Sequence, residues 1–215
     1  MTAVITKPIE ENIVKLNPLS WSTFNNLLDE LDNKRSQRLT YYNNILEIMS
    51  PLGLHESNNR FIESLIFVIA DELGLSLKKF GSLTLKSTQF KQAVEPDSCY
   101  YLKNEPKVRN KQNIDLTIDP PPDLVLEIDI TSGSLHKLPI YANLGVPEIW
   151  RYDGEKLAVF ILEKDINNYQ EIDRSPTFPF LSLNVIPELI QQSLIDGETV
   201  VLRNFRKSLK NVSKS

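Results

Sequence analysis

The stretch Asp123-Leu-Val-Leu-Glu-Ile-Asp-Ile-Thr131 constrains this chain more than any other. Its period is two, so a strand presents the two residue sets on opposite faces. Leu124, Leu126, Ile128 and Ile130 take one face, and Asp123, Val125, Glu127 and Asp129 take the other. The aliphatic face predicts a core position for Leu126. The acidic face needs a separate explanation, because Asp is depleted in strands and like charges about 7 Å apart repel. An exposed edge strand made acidic against aggregation has this pattern. So does a divalent metal site, because hard cations such as Mg²⁺ take oxygen ligands and cancel the repulsion.

Around this strand the chain reads as one α+β unit of 215 residues, without internal repeats or low-complexity tracts. The core is expected over about 16–202, with residues 1–15 and 206–215 as loose tails. Ser22 is a candidate cap for a helix carrying Phe24, Leu27, Leu28 and Leu31 on one face. Arg38 to Met49 predicts a hairpin turning at Asn43-Asn44. A helix is predicted from Glu56 to Leu73, stopped by Gly74. Leu83 to Phe90 and Gln92 to Asp97 read as strands. A short helix over Leu135 to Leu144 requires Pro139 in its first turn. A hairpin follows around Asp153-Gly154, then a strand over Tyr169 to Asp173 and a last helix over Val185 to Ile195.

Several function classes are excluded. A single cysteine, Cys99, builds no intrachain disulfide scaffold, and two histidines make no structural zinc cluster. Cys99 has no histidine near it in sequence and reads as a packed thiol. The longest apolar run, Leu65 to Ala70, is far below the roughly 20 residues of a membrane span, and Met1 to Leu16 lacks a signal peptide's apolar stretch. The expectation is a cytoplasmic chain with no membrane partner. There is no Gly-rich phosphate loop and no Gly-x-Ser-x-Gly elbow.

Net charge is −4, which argues against a protein that simply coats nucleic acid. Its distribution is uneven. Lys78 to Lys111 holds eight basic residues against three acidic ones, and Asp115 to Asp173 holds twelve acidic against four basic. A basic flank beside an acidic pocket suits a metal-dependent enzyme acting on a phosphate polymer. Chance clustering on a solvated surface gives the same counts.

A second acid on a neighbouring strand would complete a metal site, and Glu95-Pro96-Asp97 supplies one. An aspartate, then a glutamate on the next strand, then a lysine, is the outline of a PD-(D/E)xK nuclease site. Four stretches extend that outline: Leu46-Glu-Ile-Met-Ser-Pro51 with His55-Glu56; Glu95-Pro-Asp97; Pro122 to Ser132; and Lys137-Leu-Pro-Ile-Tyr-Ala-Asn-Leu-Gly-Val-Pro-Glu-Ile-Trp150. In this order they resemble the Uma2-type, restriction-endonuclease-like proteins (DUF820), short chains abundant in cyanobacteria. The resemblance spans roughly Leu16 to Leu202.

The resemblance implies a mixed β-sheet flanked by helices and a Mg²⁺-dependent phosphodiesterase site, with Mn²⁺ as an alternative ion. Carried over by position, it makes Asp97 and Glu127 the metal ligands. The superfamily lysine belongs two residues after the glutamate, where this chain has Asp129. The resemblance places that lysine at Lys137, with Asp129 as an added ligand or water-mediated contact. Glu47, His55 and Glu56 are supporting candidates, as an outer acid or a base. Each has a plainer reading: Lys137 as a solvated helix residue, Glu47 as a surface strand residue, and His55-Glu56 as a helix N-terminus with a favourable acid. Tyr141, Trp150 and Tyr152 read as core. The expected activity is an endonuclease cutting DNA, working as a homodimer by analogy with symmetric double-strand cutting. The rival is a binding or regulatory module that keeps the nuclease fold without the reaction, motivated by Asp129 in the lysine position.

Overall fold

A computed structural model describes residues 12–31, 35–130 and 136–212. In chain order its elements are β1 (Asn12–Leu16), α1 (Trp21–Glu30), β2 (Arg38–Tyr42), β3 (Ile45–Ser50), α2 (Gly53–Glu72), β4 (Lys78–Phe80), β5 (Leu85–Ser87), β6 (Gln92–Val94) and β7 (Ser98–Tyr101). They continue with α3 (Glu105–Val108), β8 (Leu124–Ile128), α4 (Leu138–Leu144), β9 (Glu148–Tyr152), β10 (Leu157–Glu163), β11 (Asn168–Ile172), α5 (Val185–Asp196) and α6 (Glu198–Val212). The α+β class is the expected one. The strands divide into two sheets, an antiparallel one ordered β1-β3-β2-β6-β5 and a mixed one ordered β11-β10-β9-β8-β7-β4.

Local chemistry sets the turns. Asn43 and Asn44 hold φ of 50° and 60° between β2 and β3, the left-handed pair that a two-residue hairpin requires and asparagine tolerates. Gly145 ends α4 at φ 75°, and Pro139 lies in the first turn of that helix, where its missing N–H costs nothing. Strand β8 is central to the mixed sheet, antiparallel to β7 and parallel to β9. Its two faces separate as the sequence predicts. Leu124, Leu126 and Ile128 pack with Ile62, Leu65 and Ile69 of α2 and with Ile186 and Phe205 of the last two helices. Val125 packs on the other side with Ile140, Tyr141, Ile149 and Phe160. β8 is therefore buried on both faces, and Glu127 sits at the end of the second one.

Several boundaries differ from the sequence reading, each for a physical reason. Ser20, not Ser22, caps α1: its backbone is extended and its hydroxyl accepts from Thr23 N at 3.1 Å. The strand expected over Leu83 to Phe90 shrinks to β5 because residues 88–91 turn, with Lys91 at φ 49°. The strand expected to Asp97 stops at Val94, where Glu95 turns inward to accept Leu39 N at 2.9 Å and pair with Arg35. Residues 12–15, expected in a loose tail, form an edge strand on β3 together with Leu16. Of residues 206–215, also expected to be loose, 206–212 continue α6, where Arg206 reaches Asp71 at 2.6 Å and Leu209 is buried, and 213–215 lie outside the described residues. Among the described residues no helix is long and apolar enough to cross a membrane.

Candidate active site

β8 ends with Glu127 and Ile128, and its neighbours decide what meets them. Ser98 pairs with Leu126 across the antiparallel β7–β8 ladder, so continuing the register by one residue sets Asp97 opposite Glu127. The Asp97 carboxylate closes that end of the ladder by accepting Ile128 N at 2.8 Å. On the other side of β8, Arg151 of β9 is the register partner of Glu127. Lys137 stands at the N-terminus of α4, and its Nζ donates to Glu127 Oε2 at 2.7 Å. Tyr141, one turn further along α4, donates its hydroxyl to Glu127 Oε1. Residues four apart share a helix face, so one short helix holds both Glu127 oxygens.

Asp97 lies beneath this group and is fully buried. His55 Nε2 is 2.9 Å from its Oδ1, and Arg38 Nε is 3.8 Å from the same atom. Asn59 of α2 donates to the Asp97 backbone carbonyl at 3.2 Å and accepts from Ser98 Oγ at 3.0 Å, fixing the approach of β7.

The two carboxyls titrate in opposite senses. Burial pushes the Asp97 carboxyl upward, but the hydrogen bond to His55, the charges of Lys137 and His55 and the Ile128 amide together hold it below the usual range. Glu127 is raised, because burial and repulsion from Asp97 outweigh the Lys137 charge and the Lys137 and Tyr141 hydrogen bonds. Burial opposes the charge on Lys137, but attraction to Glu127 and Asp97 prevails and keeps the ammonium protonated. Tyr141 is raised far above its ordinary value by burial and by Glu127, so it remains a neutral donor.

This group opens into a cleft of about 150 Å³ between β2–β3 of one sheet and β8–β9 of the other. Glu47, Glu127 and Asp129 bring carboxylates to its wall, and Arg38, His136, Lys137 and Arg151 bring basic side chains. Glu47 is buried, 3.4 Å from Lys15, and its charge reaches Lys137. Among the described residues no three His, Cys, Asp or Glu side chains converge into a ready-made metal cage. The donor set does fit Mg²⁺, which takes one or two carboxylates and completes its shell with water and substrate oxygens.

Residues 21–195 match the family model of Uma2, described as a putative restriction endonuclease. The chain belongs to the Uma2 family. A solved relative, titled a putative nuclease belonging to DUF820 from Anabaena variabilis, is 16% identical at a TM-score of 0.55, over 80% of this chain and 98% of that one. At this identity the likeness establishes the nuclease-type fold. Among curated proteins, none matches the chain.

The cleft brings together most of the residues singled out by sequence and redistributes the rest. Asp97, Glu127 and Lys137 form one group, Asp129 and Glu47 line the same cleft, and His55 backs Asp97. Glu56 lies elsewhere, bound to Arg38 at 3.0 Å and 3.7 Å from Arg60 on its own helix. Asp123, grouped by period with Glu127 and Asp129, is a loop clamp instead. Its carboxylate accepts Leu102 N, Asn104 N and Asn104 Nδ2 within 2.9 Å.

Tyr141 is buried in the core, as the sequence predicts, and its hydroxyl also donates to Glu127; its spacing of four from Lys137 on a short helix is the available signal. One expectation changes. The basic segment Lys78 to Lys111 supplies no side chain to the cleft wall. Lys79, Arg109 and Lys111 pair instead with Glu63, Glu105 and Asp119. Trp150 and Tyr152 are core, and burial pushes the packed Cys99 thiol up to about 12.

Proposed function

We propose that this cleft hydrolyses phosphodiester bonds of DNA with the help of a divalent cation, Mg²⁺ or Mn²⁺. The observation that carries the reading is the 2.7 Å contact between Lys137 and Glu127. It supports a lysine reaching the acids from α4, although Asp129 occupies the usual lysine position. The non-catalytic reading loses its main motive by the same contact. Glu127 and Asp97 would hold the cation, with Asp129 as a further oxygen donor at the cleft wall. Such a cation, when bound, polarises a phosphoryl oxygen and lowers the pKa of a bound water.

The protein's own groups supply the rest. The Lys137 ammonium, kept protonated by the acids around it, stabilises negative charge developing on phosphorus-bound oxygens. Tyr141 fixes one Glu127 oxygen and so leaves the carboxylate one orientation toward the cleft. His55 and Arg38 keep Asp97 ionised and in place from below. The basic residues lining the cleft would hold backbone phosphates and set register without reading base sequence.

The test is plasmid cleavage with and without Mg²⁺ or Mn²⁺, beside an Asp97→Ala control. Metal-dependent nicking that disappears in the control supports the reading. Cutting that persists in chelator, or equally in the control, rejects it.

A further inference from the structure

Arg151 and His136 are the basic residues on the cleft wall that the proposed chemistry leaves unused, and Arg151 is the one that shares a register with Glu127. It is the register partner of Glu127 on β9 and is half-buried. Paired residues on neighbouring strands point to the same side, so its guanidinium rises beside the carboxylate that Lys137 and Tyr141 hold. Its guanidinium carbon lies over the ring of Phe160 on β10, 5.1 Å from the ring centre. Phe160 is itself buried and cannot swing away. Among the described residues the guanidinium forms no ion pair and no side-chain hydrogen bond, although Glu47, Glu127 and Asp129 line the same cleft. A structural arginine in an acidic cleft takes a carboxylate. This one lies instead over an aromatic ring, on the wall of the cleft.

We infer that Arg151 is a substrate clamp: its planar fork binds, in bidentate fashion, a backbone phosphate of the DNA strand lying in the cleft. A guanidinium presents paired donors matched to two phosphate oxygens. Stacking on Phe160 restricts its rotamers before substrate arrives, so less entropy is lost on binding. The register places this phosphate next to the one facing Glu127. Glu127 and Asp129 repel a polyanion, and an adjacent fixed cation offsets that repulsion. Arg151 thus positions the strand and takes no part in bond breaking.

The clamp rests on the reading of the cleft as a phosphodiester site, and its test is kept separate from cleavage. Binding of a fluorescent 12-base-pair duplex is followed by anisotropy in chelator across a salt series, for the wild type, Arg151→Met, Arg151→Lys and Phe160→Leu. Loss of one phosphate contact predicts about tenfold weaker binding for Arg151→Met and a salt slope smaller by about one. Arg151→Lys restores the slope with only part of the affinity, because an ammonium lacks the fork. Phe160→Leu weakens binding while the slope stays that of the wild type. Thermal melting checks that each variant folds, and Arg151→Lys carries the test if Arg151→Met does not. A wild type that binds the duplex but never cuts it removes the nuclease reading and leaves the clamp. Wild-type affinity and slope in Arg151→Met, or a wild type that does not bind duplex at all, overturns the clamp.

Discussion

Ten residues of chain separate Lys137 from Glu127, and 2.7 Å separates their charged groups. The contact exists because β8 and β9 are parallel, so α4 must return along the sheet between them and start beside the end of β8. A lysine can therefore reach the buried glutamate from the crossover helix in place of the strand.

Lys137→Met keeps the stem and removes the charge. Cleavage is expected to fall about 10²-fold, the usual cost of losing one electrostatic stabiliser. Stability should fall as well, with a pH dependence. Glu127 has a raised carboxyl pKa, so the stability tied to its protonated form is present below the ordinary carboxyl range and lost as pH rises through the raised value. Lys137 is the largest influence limiting that loss, and in the variant only the Tyr141 hydrogen bond remains to do so. The gap to wild type should be smallest near pH ~4 and reach about 3 kcal/mol near pH ~7. Urea midpoints at several pH values measure it, and a gap independent of pH rejects the pairing.

How far the site could be read from sequence depends on what each signal encodes. Period two separates faces, so Leu126 and Glu127 were assigned correctly to opposite sides of β8. Period says nothing about depth along a strand. Asp123 shares its face with Glu127 but lies at the far end, where it binds the 102–104 backbone. Tyr141 is core, as its place on a buried helix face predicts, but the contact of its hydroxyl with Glu127 is invisible until the fold brings them together. Arg151 was missed because a β9 residue becomes a neighbour of Glu127 only through the parallel pairing. The short strands β4 and β7 were invisible for a related reason. Their residues carry too few alternations to show a period, and tertiary pairing decides them. α6 is rich in Lys and Arg and reads as a tail until Phe205 and Leu209 find α2.

Tyr141→Phe deletes one hydroxyl and leaves the ring in its packing. Its hydrogen bond lowers the Glu127 carboxyl pKa, so removing it should raise that value further. The acid limb of the pH–rate profile should move to higher pH, and cleavage near neutrality should drop about tenfold. An unchanged acid limb would show that Glu127 does not need this donor.

Glu148 makes a separate, purely structural prediction. Its buried carboxylate accepts Trp150 Nε1 at 2.7 Å, Ser175 Oγ at 2.5 Å, Thr177 Oγ1 at 2.6 Å and Thr177 N at 3.2 Å. It thereby ties the loop before α5 to β9. Glu148→Ala leaves these donors without their acceptor and should destabilise by about 3 kcal/mol, read as a lower urea midpoint at unchanged slope. Cleavage per folded molecule should stay at the wild-type level, since Glu148 is not on the cleft wall. Full stability in the variant would mean that water replaces the carboxylate.

The last prediction separates metal binding from folding. Glu127 and Asp97 are buried near each other with two ionised carboxylates disfavoured, so a cation that joins them removes a repulsion present in the folded protein alone. A ligand that binds only the folded state stabilises it by mass action, about 1.4 kcal/mol at ten times its Kd. Millimolar Mg²⁺ or Mn²⁺ should therefore raise the Tm of the wild type. Glu127→Gln keeps the side-chain shape and the Tyr141 acceptor, so it should remain folded and lose the metal-dependent shift. Leu126→Asp, which places a charge among Ile62, Leu65 and Phe205, should not fold in either condition. Equal destabilisation by both substitutions would overturn the assignment of the two β8 faces. A wild-type Tm indifferent to both metals would remove the cation from the proposed reaction and leave Lys137 and the arginines of the cleft wall as the charges available to a phosphate there.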